Sequence, residues 1–252
     1  MPRVTQPFDD IVDVLTGDRS PARWAGLFAD GAPIVDHSAP VPVGEAGHWL
    51  GSLLEQVPCT TFSCEWQLTD GAAGAAWIWF HLPDPDEADI PYDAPHLLVA
   101  RSASAGPLTE LEIFGPLGTW RETVDDWVGA VGGAPMSPDP ALRSQRPSHP
   151  SLPEPPPDRA ILEAVADAMV SENWLDLVAW GARWHDHAGH PIERWADGRR
   201  IEHCRVLGGS RVVLVFEHEL PAAIVVHVDE TGRITYLDHL CDWTTATAGR
   251  DA

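Results

Sequence analysis

Two short stretches, Ala32-Pro33-Ile34-Val35-Asp36-His37 and Ala182-Arg183-Trp184-His185-Asp186-His187, each read as a strand closing on Asp-His. Around them the chain repeats one pattern. Two amphipathic helices precede each: Phe8–Leu15 and Pro21–Phe28 in the first half, Ala160–Val170 and Trp174–Trp180 in the second. Ser20 before Pro21 is a usable N-cap with proline at the first helical position. A third helix follows each strand, Gly44–Gln56 and a shorter Pro191–Arg199. Strands come next: Ser63–Trp66 over His203–Val206, then Ala75–His81 and Arg211–Glu219 after glycine turns. Each half closes on a hairpin, His96–Arg101 to Leu108–Phe114 and Ala222–Val228 to Arg233–Leu240.

The halves are joined by Pro135–Pro157, a proline-rich run that removes backbone donors and fixes φ. The expected organisation is one domain over residues 1–134, a linker over 135–157 and a second domain over 158–252. Helices followed by strands make an α+β layer, three helices on a curved antiparallel sheet in each half. Val212-Val213-Leu214-Val215-Phe216 is apolar at consecutive positions, so both faces of that strand should be covered. The sequence therefore predicts two halves packed sheet to sheet as an intramolecular pseudo-dimer, with room for further oligomerisation.

Composition narrows the chemistry. The 252 residues carry a formal charge of −22, and all sixteen basic residues are arginine. Without lysine there is no Schiff base, no pyridoxal phosphate attachment and no phosphate-loop lysine. The acidity disfavours nucleic acid and anionic lipid as partners. Cys59, Cys64, Cys204 and Cys241 form neither a disulfide framework nor a CxxC pair. No apolar run is long enough for a membrane span and no signal peptide is read, so a cytoplasmic, bacterial protein is expected. GxSxG, GxGxxG and phosphate-loop motifs are missing, which leaves serine hydrolases and dinucleotide enzymes unsupported.

The order helix, helix, strand ending in Asp-His, helix and meander, with Asp229-Glu230-Thr231-Gly232-Arg233-Ile234 in the closing hairpin, resembles the nuclear transport factor 2 superfamily. That group includes SnoaL-like polyketide cyclases, ketosteroid isomerases and limonene-type epoxide hydrolases. The tandem is similar to the two-domain epoxide hydrolases of polyether biosynthesis. The resemblance implies cone-shaped domains with an apolar closed end and acid/base groups at the mouth. It places Asp36, with His37 beside it, at the catalytic Asp position and makes Glu65 its partner.

In the second half Asp186 matches Asp36, but Arg205 stands over Glu65. Histidine is plentiful there instead: His185, His187 and His190. Alternation along a strand puts His185 and His187 on one face, where they could hold a metal, form an acid/base dyad with Asp186, or simply be surface or satisfied side chains. No carboxylate or cysteine completes a recognised ligand spacing, so neither metal nor cofactor is expected. Twelve tryptophans suit either an ordinary core or a wall for a flat apolar ligand. The reading is a cofactor-independent acid/base enzyme, a cyclase, isomerase or epoxide hydrolase, acting on a small apolar metabolite. Its rival is a non-catalytic ligand-binding or assembly module.

Overall fold

The computed structural model describes residues 7–37, 44–57, 60–83, 91–103, 106–115, 152, 155–171, 174–187, 201–217 and 222–241. It divides into two compact units, residues 1–67 with 74–147, and residues 68–73 with 148–252. The linker region and the helix expected over Pro191–Arg199 lie almost wholly outside the described residues.

In the first unit α1 (Pro7–Thr16) buries Phe8, Ile11, Val12 and Leu15, the i, i+3, i+4, i+7 stripe of an amphipathic helix. α2 (Pro21–Ala25) starts as its sequence dictates: the Ser20 side chain accepts from the Arg23 amide, with Pro21 in the first turn. α3 (Ala46–Gln56) buries Trp49 and Leu50. The sheet is built from β1 (Ile34–Asp36), β2 (Thr61–Asp70), β3 (Ala73–Pro83), β4 (Pro91–Ser102) and β5 (Leu108–Phe114), in the order β1-β5-β4-β3-β2.

β4 and β5 pair antiparallel, whereas β1 pairs with β5 in parallel. The sheet is therefore mixed and not wholly antiparallel, because the strand ending in Asp-His returns alongside the last strand. Ile34, Ala76, Ile78, Phe80, Leu98, Leu111 and Ile113 share one core cluster with the helices. Their even spacing defines an inner, helix-covered face.

The second unit repeats this plan. α4 (Arg159–Val170) buries Leu162, Val165, Ala166 and Met169. The segment Trp174–Trp180 is not a helix: a single 3₁₀ turn over Trp174–Leu177 gives way to β6 (Val178–Asp186). Val178, Trp180 and Trp184 are strand formers, and Gly181 sits at φ +81°, which a helix does not use.

β7 (Ile201–Gly208), β8 (Arg211–Glu217), β9 (Ala222–Val228) and β10 (Ile234–Cys241) complete the order β6-β10-β9-β8-β7. β6 pairs with β10 in parallel; the other pairings are antiparallel. Val212–Phe216 is buried, as its unbroken apolar run demands, and all of β9 is buried with His227 among its apolar residues. The β9–β10 turn is held by Asp229, whose Oδ1 accepts from the amides of Thr231 and Arg233, while Gly232 takes φ +83°. No helix among the described residues is long and apolar enough to cross a membrane.

One close approach fixes α1 on the sheet. A Cβ at Gly74 would overlap the Phe8 ring. Gly74→Ala is expected to destabilise the first unit by ~1–3 kcal/mol through overpacking. Denaturant unfolding of the full chain reads this, and the extra cost should shrink when Phe8→Ala is made with it.

Candidate functional site

Asp36 ends β1 on the inner face, two residues beyond buried Ile34, and its Oδ2 accepts from Trp49 Nε1 at 3.1 Å. Trp49 lies 5.4 Å from Trp24 and 6.0 Å from Phe80 between ring centroids, and Phe62 packs edge-on against Phe80. A half-buried carboxylate thus sits at the margin of an aromatic wall. Further along that wall is a residue the sequence reading passed over. His96 is fully buried on β4 and stacks on Phe80 with centroids 3.8 Å apart. The Ala94 carbonyl accepts from its Nδ1 at 3.1 Å, leaving Nε2 deprotonated. Burial holds the imidazole neutral, its pKa pushed down to about 3. Alternation with Ala94 and Leu98, both in the core cluster, was the available signal.

Glu65 does not join Asp36. β1 and β2 are opposite edges of the sheet, and Glu65 accepts from Trp79 Nε1 at 2.7 Å. Trp79 alternates with the inner-face residues Ile78 and Phe80, so Glu65 belongs to the outer face. His37 is also placed there, buried against Glu112 (Nε2–Oε2 3.3 Å) and stacked on Phe114.

A third outer-face chain was missed altogether. Ser63 Oγ lies 2.8 Å from His81 Nε2, and His81 Nδ1 lies 2.6 Å from Asp93 Oδ1. The order matches a nucleophilic triad. However, Ser63 sits within a strand, whose backbone N–H groups alternate in direction and do not converge on one developing oxyanion.

In the second unit His185 and His187 do share a face, the outer one. The parallel register sets His185 beside Asp238 and Asp186 beside His239. The carboxylate at the histidines is Asp238, not Asp186: His187 Nε2 is 2.9 Å from Asp238 Oδ1. Tyr236 joins them, its hydroxyl donating to Asp238 Oδ1 at 3.2 Å and lying 3.2 Å from His185 Nδ1. Asp186, between the histidines in sequence, is the register partner of His239; its side chain lies outside the described residues, as does His190. Next to this group Arg211 Nε donates to His227 Nε2 at 3.3 Å, which requires His227 to be neutral.

The Asp-His repeat is thus matched atom by atom in the backbone. The His37 amide donates to Ile113 O at 2.8 Å and the His187 amide to His239 O at 3.0 Å. Each places its histidine beside the acid of the last strand, Glu112 or Asp238. That acid was visible in the sequence as Leu111-Glu112-Ile113 over Leu237-Asp238-His239.

No protein-family profile matches the sequence, and no curated protein does. Solved structures do. An uncharacterised protein with a cystatin-like fold from Silicibacter pomeroyi DSS-3 is 10% identical, at TM-score 0.41, over 51% of this chain and 87% of its own. A candidate SnoaL-like polyketide cyclase from Jannaschia sp. CCS1 is 16% identical, at TM-score 0.37, over 54% and 97%. A protein with a ketosteroid isomerase-like fold from Catenulispora acidiphila DSM 44928 is 13% identical, at TM-score 0.36, over 45% and 85%. Each spans about half of this chain. The α+β class read from the sequence stands on this chain's own helices and its two five-stranded sheets.

His96 makes the fold sensitive to acid. Its folded pKa lies below the usual value of 6.5, so its contribution is complete above pH 6.5 and is lost as pH falls toward about 3. Over that window the unfolding free energy should drop by about 1.4 kcal/mol per pH unit from this group alone. Denaturation series at pH 7 and pH 5 on the native chain and on His96→Phe should show that part of the slope vanish in the variant.

Proposed function

We propose that the first unit is a cofactor-independent acid/base enzyme of the cyclase or isomerase type, acting on a flat apolar carbonyl compound. The observation that carries this reading is Asp36 on the helix-covered face, held by the Trp49 N–H beside an aromatic wall. A half-buried carboxylate held at the margin of that wall is an oxygen base suited to take a proton from carbon. Trp49, Phe80 and Phe62 make the surroundings of Asp36 apolar and aromatic, which suits a planar apolar substrate. His96 lies on the same face, two strands from β1 and two residues along, at roughly 12 Å between Cα atoms by sheet spacing. Its buried ring is neutral, so it adds a polar group to the aromatic wall and no acid.

The step is proton abstraction next to a carbonyl. Asp36 takes the proton and the C–H electrons move into the enolate; the same acid then returns the proton to another carbon, or the enolate carbon closes a ring on a second carbonyl carbon, whose C=O π bond breaks as its oxygen receives the proton. An epoxide-opening version needs a second carboxylate to divide acid and base roles, and Glu65 on the outer face does not supply it.

5-Nitrobenzisoxazole tests this without knowledge of the substrate. A base removes its ring proton and the N–O bond breaks to a coloured cyanophenolate. The full chain should open it faster than acetate at equal concentration, and Asp36→Asn should lower that rate by ~10²-fold or more. Glu65→Gln should stay within about twofold. An unchanged rate in Asp36→Asn would overturn the assignment and favour a ligand-binding module.

A further inference from the structure

The outer face of the second unit carries a constellation that the acid/base reading does not use. One ligand atom from each of His185, His187 and Asp238 falls within 4.8 Å of the others. We propose that these three side chains bind a divalent first-row transition ion, with zinc favoured by the donor set. Imidazole suits zinc, copper, iron and nickel, and two histidines with one carboxylate, leaving positions open, is a recurrent ligand set for zinc and for non-haem iron.

Three observations support the site. First, the donors stand on adjacent parallel strands, which fix their separation: His185 and Asp238 are register partners, and the His187 amide is bonded to His239 O. Second, Asp238 is completely buried, and its charge needs local compensation. The His187–Asp238 contact of 2.9 Å and the Tyr236 hydroxyl supply part of it. A cation between the three donors supplies more. The Tyr236 hydroxyl stands beside the cluster, 3.2 Å from both Asp238 Oδ1 and His185 Nδ1, and holds these two side chains together. Third, the first unit holds the same backbone frame with one donor fewer. His37 and Glu112 correspond to His187 and Asp238, but Val35 is the register partner of Glu112 where His185 is that of Asp238. Among the described residues the set of three is built in the second unit only, so one ion is expected there.

His185 is exposed and His187 half-buried, so the three ligands converge from the protein side and leave the remaining positions for water or an oxygen donor of a ligand. The sequence reading did not expect a metal, because no carboxylate or cysteine stood at a recognised spacing. Asp238, 51 residues from His187, is the missing donor.

Calorimetric titration of the chelator-stripped full chain with ZnCl₂ should give one equivalent bound. His185→Ala, at an exposed position, should weaken binding roughly tenfold or more, and Asp238→Asn likewise. His48→Ala, at another exposed histidine, should leave it unchanged. CoCl₂ gives a second readout, a visible d–d band in the native chain that is lost in His185→Ala. Binding well below one equivalent, or a His185→Ala chain that binds zinc and shows the cobalt band as the native chain does, would overturn the site.

Discussion

Both units depend on one constraint, the parallel pairing of the first strand with the last. β1 lies beside β5 through Ile34↔Leu111 and Asp36↔Ile113, and β6 lies beside β10 through His185↔Asp238 and Asp186↔His239. A parallel pair cannot be closed by a hairpin; the chain must leave and return, and here the rest of each unit is the excursion. The pairing anchors a short strand that β1, at three residues, has little other means of holding. It also sets residues far apart in sequence against one another.

Side-chain alternation then distributes the chemistry. Because successive residues face opposite sides, an Asp-His dipeptide at the strand end commits its two members to different environments. In the first unit Asp36 meets Trp49 of α3 on the helix-covered face, while His37 meets Glu112 and Phe114 on the other. In the second unit the outer face gains His185 and Tyr236 beside the same His–acid pair. One backbone frame thus supports an aromatic-lined carboxylate on one side and a histidine–carboxylate cluster on the other.

Much of the fold was legible because it rests on local pattern. The stripes of α1 and α4, the Ser20–Pro21 start of α2, the long strands and the Asp229–Gly232 turn all follow from spacing within a few residues. The Trp174–Trp180 segment misled for a related reason: apolar spacing over seven residues fits a helix or a strand with a bulge. Register resolves it, since Ile234 pairs with Val178 and Tyr236 already with Arg183, so the residues between bulge out and Trp180 stands fully exposed. The site was legible only in part. Asp36 and the histidines announced themselves, but their true neighbours did not. Asp238 and Glu112 reach their histidines across 51 and 75 residues, and the face of Glu65 depends on its bond to Trp79. Periodicity gives faces; it does not give partners.

The strand-end amides test this account most directly. Among the described residues, His37 N–H and His187 N–H are the outermost bonds of the strand-end segments to the last strand in each unit. Amide hydrogen exchange of the full chain should show both protected as ladder amides are, with opening free energies near those of the central strands. Exchange of either at the rate of an unbonded surface amide would mean that the first strand is not locked to the last, and the placement of Asp36 and of the His187–Asp238 pair would fall with it.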